Sequence, residues 1–139
     1  YLGVGYQREN LRLGASFVWM AYGDMDEMKQ TTAGVTTVTQ TGYKDGYRVS
    51  LGGEYRATEN LYLNAGARFY TGAQKDEYIS PISNDVDMLA LSGGVRCSVA
   101  RGTDLLMGYL HVWGFEKTVG TQTFDQDYDT LIFSIRQQF

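Results

Sequence analysis

The sequence predicts an all-β fold, an antiparallel transmembrane β-barrel of which about seven strands are present. Three observations carry this. Apolar and polar residues alternate over long stretches, the intervening turns alternate short and long, and aromatic residues gather toward the long-turn ends. Period two is the mark of a strand whose side chains point to opposite faces. The alternating stretches run to roughly ten residues, the length a tilted strand needs to cross a bilayer and longer than soluble strands usually are.

The clearest alternation lies in 42–70. Tyr43, Tyr47, Val49, Leu51 and Tyr55 alternate with Lys44, Arg48, Ser50, Glu54 and Arg56. Thr58, Glu59 and Asn60 interrupt them with turn chemistry. Leu61, Leu63, Ala65, Ala67 and Phe69 then alternate with Tyr62, Asn64, Gly66, Arg68 and Tyr70. A turn centred on Glu59 sets Arg48 opposite Tyr70, Ser50 opposite Arg68 and Glu54 opposite Asn64. One face is oily and the other charged, as in a barrel with lipid outside and water inside.

The remaining segments follow the same grammar. Leu2, Val4 and Tyr6 alternate with Gly3, Gly5 and Gln7 up to a turn at Glu9 and Asn10, after which Leu11, Leu13, Ala15, Phe17, Trp19 and Ala21 form the second strand's apolar set. The polar stretch 23–41 reads as an extended loop. The alternative is an eighth strand there, on Val35, Thr37 and Thr39. A loop over 72–86 holds the single proline, Pro81. The fifth strand covers 87–100 and turns at Arg101, Gly102 and Thr103 into a sixth. That one places Leu105, Met107, Tyr109, His111, Trp113 and Phe115 outward, a set blurred by Leu106, Leu110 and Val112. After a loop over 118–127, Leu131, Phe133, Ile135 and Phe139 share a face of the last strand. Leu51, Leu63, Leu91 and Phe133 are expected to face lipid, and Arg48, Glu54, Arg68 and Arg96 to face inward. Cys97 has the parity of Leu89, Leu91, Val95 and Val99 and reads as a small outward residue.

Seven strands raise a closure problem. Single-chain bacterial barrels have an even number, at least eight. An open sheet in lipid leaves unpaired N–H and C=O groups at both edges, each costing several kcal/mol. The chain therefore reads as the C-terminal part of a larger barrel, its partner strands lying elsewhere in the same or another chain.

Composition narrows the classes. The net charge of −4 and pI of about 4.9 give no basis for a nucleic-acid partner. No run of about 18 apolar residues exists to form a membrane helix. Tyr1 already begins an alternating stretch, so the chain reads as mature or internal, with no visible signal peptide. One cysteine allows no internal disulfide.

The segment Gly42-Tyr43-Lys44-Asp45-Gly46-Tyr47-Arg48, followed by Leu51-Gly52 and Tyr55, resembles the GYKDxYRxxLG stretch of the FadL-type outer-membrane transporters. Ala65-Gly66, an acidic pair, Leu91-Ser92-Gly93-Gly94 and a final strand ending in Phe follow in the family's order. The resemblance spans essentially the whole chain. The family's Pro-Asp-x-Asp-Arg segment appears here only as Asn84-Asp85-Val86-Asp87-Met88, without the arginine. The resemblance implies the C-terminal half of a fourteen-stranded barrel in the bacterial outer membrane, in contact with its lipid or lipopolysaccharide. It also implies an N-terminal hatch, and uptake of long-chain fatty acids or similar hydrophobic molecules released sideways through the wall. From the residues alone, a small structural or adhesive barrel with binding loops is the alternative.

Within that frame Lys44, Arg48 and Arg68 project into the outer half of the lumen as a basic spot. Arginine suits a carboxylate because its planar fork makes two hydrogen bonds at once. The alternative is that these cations pair with lumen acids. Met20, Tyr22, Tyr62, Tyr70 and Met88 offer apolar surface to a ligand's tail, or equally to packing or a plug. Met25 and Met28 sit in the long loop, as an external greasy landing site or part of a disordered acidic loop. No enzyme and no cofactor are expected. A hydrolase needs Ser, His and an acid converging, and the one histidine, His111, reads as an interfacial residue. No His and Cys cluster suits zinc or another soft-ligand metal, and Asp24, Asp26 and Glu27 lack the spaced oxygens of a calcium loop.

Overall fold

The computed structural model describes residues 1–25, 27–79 and 85–138; Asp26, Pro81, Asn84 and Phe139, named above, lie outside the described residues. The described residues form eleven strands: β1 (Leu2–Arg8), β2 (Leu11–Met20), β3 (Glu27–Thr32), β4 (Val35–Gln40), β5 (Gly46–Arg56), β6 (Leu61–Tyr70), β7 (Met88–Ala100), β8 (Thr103–Gly114), β9 (Lys117–Val119), β10 (Gln122–Phe124) and β11 (Tyr128–Gln137). Seven of them make one antiparallel sheet in the order β1-β2-β5-β6-β7-β8-β11. The sheet does not close on itself, so β1 and β11 are its edges. No described helix is long and apolar enough to cross a membrane.

Each sequence neighbour in the sheet is also a spatial neighbour, joined at one end by tight turns. Glu9 adopts φ 41° in the first, and Gly102 adopts φ 74° in the last. Gly102 there tolerates a left-handed backbone that a side chain would strain. Thr58 Oγ1 accepts from Leu61 N at 3.1 Å and holds the turn between β5 and β6. The other end carries the long connections, and these fold. β3 and β4 form an isolated hairpin through Ala33 (φ 51°) and Gly34 (φ 80°), the left-handed pair that two-residue hairpin turns prefer. The alternation seen at Val35, Thr37 and Thr39 thus marks a real strand, but it pairs with β3 outside the sheet and adds no eighth member. β9 and β10 form a second small hairpin.

Register settles which residues share a face. Ala15, Leu51, Ala67, Leu91, His111 and Asp129 lie in one row, and Leu11, Tyr55, Leu63, Val95, Met107 and Phe133 in another of the same parity. Leu51, Leu63, Leu91 and Phe133 are therefore on one side, and all four are exposed. Arg48, Glu54, Arg68 and Arg96 are on the other, as expected from the pattern. Cys97 follows the apolar parity, in register with Leu61 and Leu105. Leucines turned to the surface of a sheet are placed for hydrocarbon rather than water, where a patch of this extent has no stable home.

The apolar face ends in aromatic residues near the long-loop side. Phe17 stacks on Tyr47 at 6.0 Å, and Phe69 meets Phe115 edge-on at 6.1 Å. Trp19 shares this face and donates from Nε1 to Asp45 at 2.9 Å. Such rings prefer the level where hydrocarbon gives way to head groups.

Among the described residues the buried apolar side chains are few and, apart from Val112 on β8, sit outside the sheet. Ile79, Val86 and Phe124 pack with Met88 and Val119, forming a small core where the chain around 71–79 and 85–87 meets β9 and β10. Val86 is fully enclosed. The connections from β6 to β7 and from β8 to β11 are thus a built cap rather than loose chain.

Candidate functional site

On the inward face, β5 to β8 and β11 curve around a trough of about 720 Å³. Its two walls differ in chemistry. Arg48, Ser50, Asn64 and Arg68 come from β5 and β6, while Met88, Ala90, Leu106, Leu110, Val112 and Ile132 come from β7, β8 and β11. Tyr70, Asp85 and Tyr128 bound it at the cap end. A barrel interior is ordinarily polar, so an apolar wall inside is the unusual feature. It suits a molecule with an oily body and a polar or charged end.

Arg48 is the Cα partner of Tyr70, and Arg68 of Ser50. This is the register that a turn at Glu59 dictates. Among the described residues neither arginine forms an ion pair within the trough, although Asp85 lines it with them. Asp85 is committed elsewhere. Its carboxylate accepts from Ala73 N at 2.6 Å, Gln74 N at 3.1 Å and Tyr70 Oη at 3.1 Å. Asp87 accepts from Gly72 N at 2.8 Å. The acidic pair therefore folds the 72–74 backbone over the strand ends.

Lys44 stands apart from the other two cations. It precedes β5, in a segment that pairs with 73–75 through Lys44 N to Ala73 O at 2.6 Å and Lys75 N to Gly42 O at 2.7 Å. Its ammonium lies 3.6 Å from Asp76, which also accepts from Lys117 Nζ at 3.1 Å. That hydrogen bond leads in holding the Asp76 carboxyl below its ordinary range, helped by the charges of both lysines. For Lys44 the alternative reading, pairing with an acid, is what the geometry displays.

The proposed tail contacts divide likewise. Tyr70 and Met88 line the trough. Met20 lies against Gly46 on the same parity as Arg48, and Tyr22 packs on Tyr43 at 6.3 Å, but neither lines the trough. Tyr62 carries the Arg96 guanidinium on its ring at 3.6 Å. Arg96 in turn bonds Glu54 at 3.1 Å and lies 3.7 Å from Asp104, which Ser98 and Arg136 also bond. This ionic layer ties β5, β7, β8 and β11 together at the short-turn end, below the trough. Met25 and Met28 are exposed beside and within the β3–β4 hairpin.

His111 does face outward, but it is not isolated. Its Nδ1 is 2.5 Å from Asp129, whose carboxylate Tyr109 also bonds, and its ring meets Trp113 at 4.0 Å. Among the described residues no three His, Cys, Asp or Glu side chains converge as metal ligands would.

A wall of bilayer-length antiparallel strands, greasy on one side and polar on the other, with tight turns at one end and folded loops at the other, defines a β-barrel membrane protein. Over residues 5–137 the chain matches the family described as outer membrane protein transport protein (OMPP1/FadL/TodX), and it belongs to that family. It is thus a protein of the bacterial outer membrane, in a family that transports hydrophobic substrates. No curated protein matches the chain.

Proposed function

We propose that this sheet is the C-terminal half of a fourteen-stranded, plugged barrel and that its trough binds long-chain fatty acids or similar amphiphiles on their way through. The carrying observation is the pairing of two arginines, free of ion pairs among the described residues, with an apolar wall across the same trough. The apolar wall takes the chain, and Arg48 and Arg68 hold the carboxylate. Lys44 acts in the cap, not on the head group.

Closure follows from strand direction. Six antiparallel steps separate β1 from β11, so the two edges run the same way. A second copy of this sheet would meet them with parallel seams. An antiparallel seal needs an odd number of further strands, and seven would complete fourteen.

The test is affinity in the full-length protein held in detergent micelles, with dodecanoate and dodecan-1-ol as probes. Arg48→Met with Arg68→Met is expected to weaken dodecanoate about tenfold to a hundredfold, since a hydrogen bond to a charged group is worth roughly 1.5–3 kcal/mol. The alcohol should lose far less, and Lys44→Met should affect neither. Equal losses for both probes would rule out an arginine-held carboxylate.

A further inference from the structure

An acid stands in the same trough as the two arginines and yet leaves them alone. Asp85 lines the trough with Arg48 and Arg68. Opposite charges that share a half-buried site gain by pairing, because each then offsets the other's desolvation. Here the carboxylate is occupied on both oxygens. Oδ2 accepts from the backbone of Ala73 and Gln74, at 2.6 and 3.1 Å, which are fixed by the cap. Among the described residues Oδ1 has one side-chain donor, the Tyr70 hydroxyl, at 3.1 Å.

Tyr70 is also the residue directly across from Arg48 in the register of β5 and β6. Tyr70 is thus a neighbour of both the acid, by its hydrogen bond, and Arg48, by its register on the same face. Its ring is wall, but its hydroxyl does something a phenylalanine cannot. Resting on the reading of the trough above, we infer that Tyr70 is a positioning residue for ligand charge. It holds Asp85 Oδ1 away from Arg48, so that the arginines stay available to an anion from outside.

Without that hydroxyl, Oδ1 lacks its donor and turns to Arg48, the cation next to Tyr70 in the register. An internal carboxylate then takes the place meant for the ligand's. The consequence is selective: a carboxylate ligand must displace Asp85, whereas a neutral ligand of the same length has nothing to displace. The device sets the preference for charged over neutral amphiphiles and leaves the apolar wall as it is.

The experiment measures the ratio of dodecanoate to dodecan-1-ol affinity on the full-length protein in detergent micelles. Tyr70→Phe is expected to lower that ratio about fivefold to tenfold, on the order of 1–1.4 kcal/mol. Adding Asp85→Asn should restore it, because the amide no longer competes for Arg48. That rescue is non-additive, and a residue serving only as wall or scaffold would not produce it. If Tyr70→Phe weakens both probes equally, Tyr70 is wall alone and the inference is overturned; that variant decides the matter even if the double change destabilises the cap. A wild-type protein that binds dodecanoate no better than the alcohol would instead overturn the trough reading itself.

Discussion

Leu51→Arg is expected to cost about 2–4 kcal/mol of folding stability in the membrane, the range for an arginine at the bilayer midplane on the lipid face of a barrel. Leu51 is the sixth of eleven residues in β5, and more than half of its surface is exposed on the apolar side. The paired control is Ser16→Arg, at mid-length in the adjacent β2 and on the opposite parity. There the new guanidinium projects into the aqueous interior and should cost less than about 1 kcal/mol, in line with a surface substitution. Urea unfolding of the protein in lipid vesicles reads both. A soluble sheet with the same strands would reverse the order of the two costs, and so would the opposite sidedness in lipid. This one comparison therefore bears on everything drawn from the trough, since Arg48 and Arg68 share the parity of Ser16 and not of Leu51.

That sidedness could be read from the sequence because period two is strict wherever one face is greasy and the other is not. The stretch from Leu61 to Tyr70 is such a case, and the whole register against β5 followed from its turn. β8 is the contrary case. Leu106, Leu110 and Val112 are as apolar as Leu105 and Met107, so alternation alone assigns neither set to a side. Only pairing with β7, which puts Leu110 opposite Ser92 and Leu106 opposite Arg96, turns these residues into the trough's apolar wall. The signal for an oily lumen was thus present as a blurred pattern.

Lys44 illustrates a different limit. It continues the parity of Arg48 on paper, but the strand begins only at Gly46. Before that point Tyr43 bridges Gln74, and the alternation no longer reports on the sheet. The bond between His111 and Asp129 joins residues eighteen apart on neighbouring strands. No local pattern announces it. In the outer hairpin, by contrast, Val35, Thr37 and Thr39 alternate well enough to admit a strand, but alternation alone does not say whether that strand joins the sheet or pairs only with β3.

Gly72→Val should release the cap while sparing the sheet. A Cβ on Gly72 would run into the carbonyl oxygen of Asp85, and would lie 3.0 Å from its carbonyl carbon and 3.3 Å from that of Val86. These are backbone atoms and they cannot swing aside. Gly72 N is itself tied to Asp87 at 2.8 Å, Ala73 N to Asp85 at 2.6 Å, and the Asp87 carbonyl accepts from Phe115 N at 2.7 Å. Overpacking of this kind costs about 1–3 kcal/mol, and the segment relieves it by lifting off rather than by deforming. Val86, fully enclosed in the wild type, would then be exposed. Protease added outside intact cells should cut the variant between β6 and β7, while the spanning strands keep their native mobility on unheated gels. Undiminished resistance would mean that the acidic pair and the small core of Ile79, Val86 and Phe124 do not hold this segment down. The same variant frees Asp85 from Ala73 and Gln74, so its preference for carboxylate over alcohol should fall along with its resistance to protease. A cap that merely shielded the trough would lose the second property without the first.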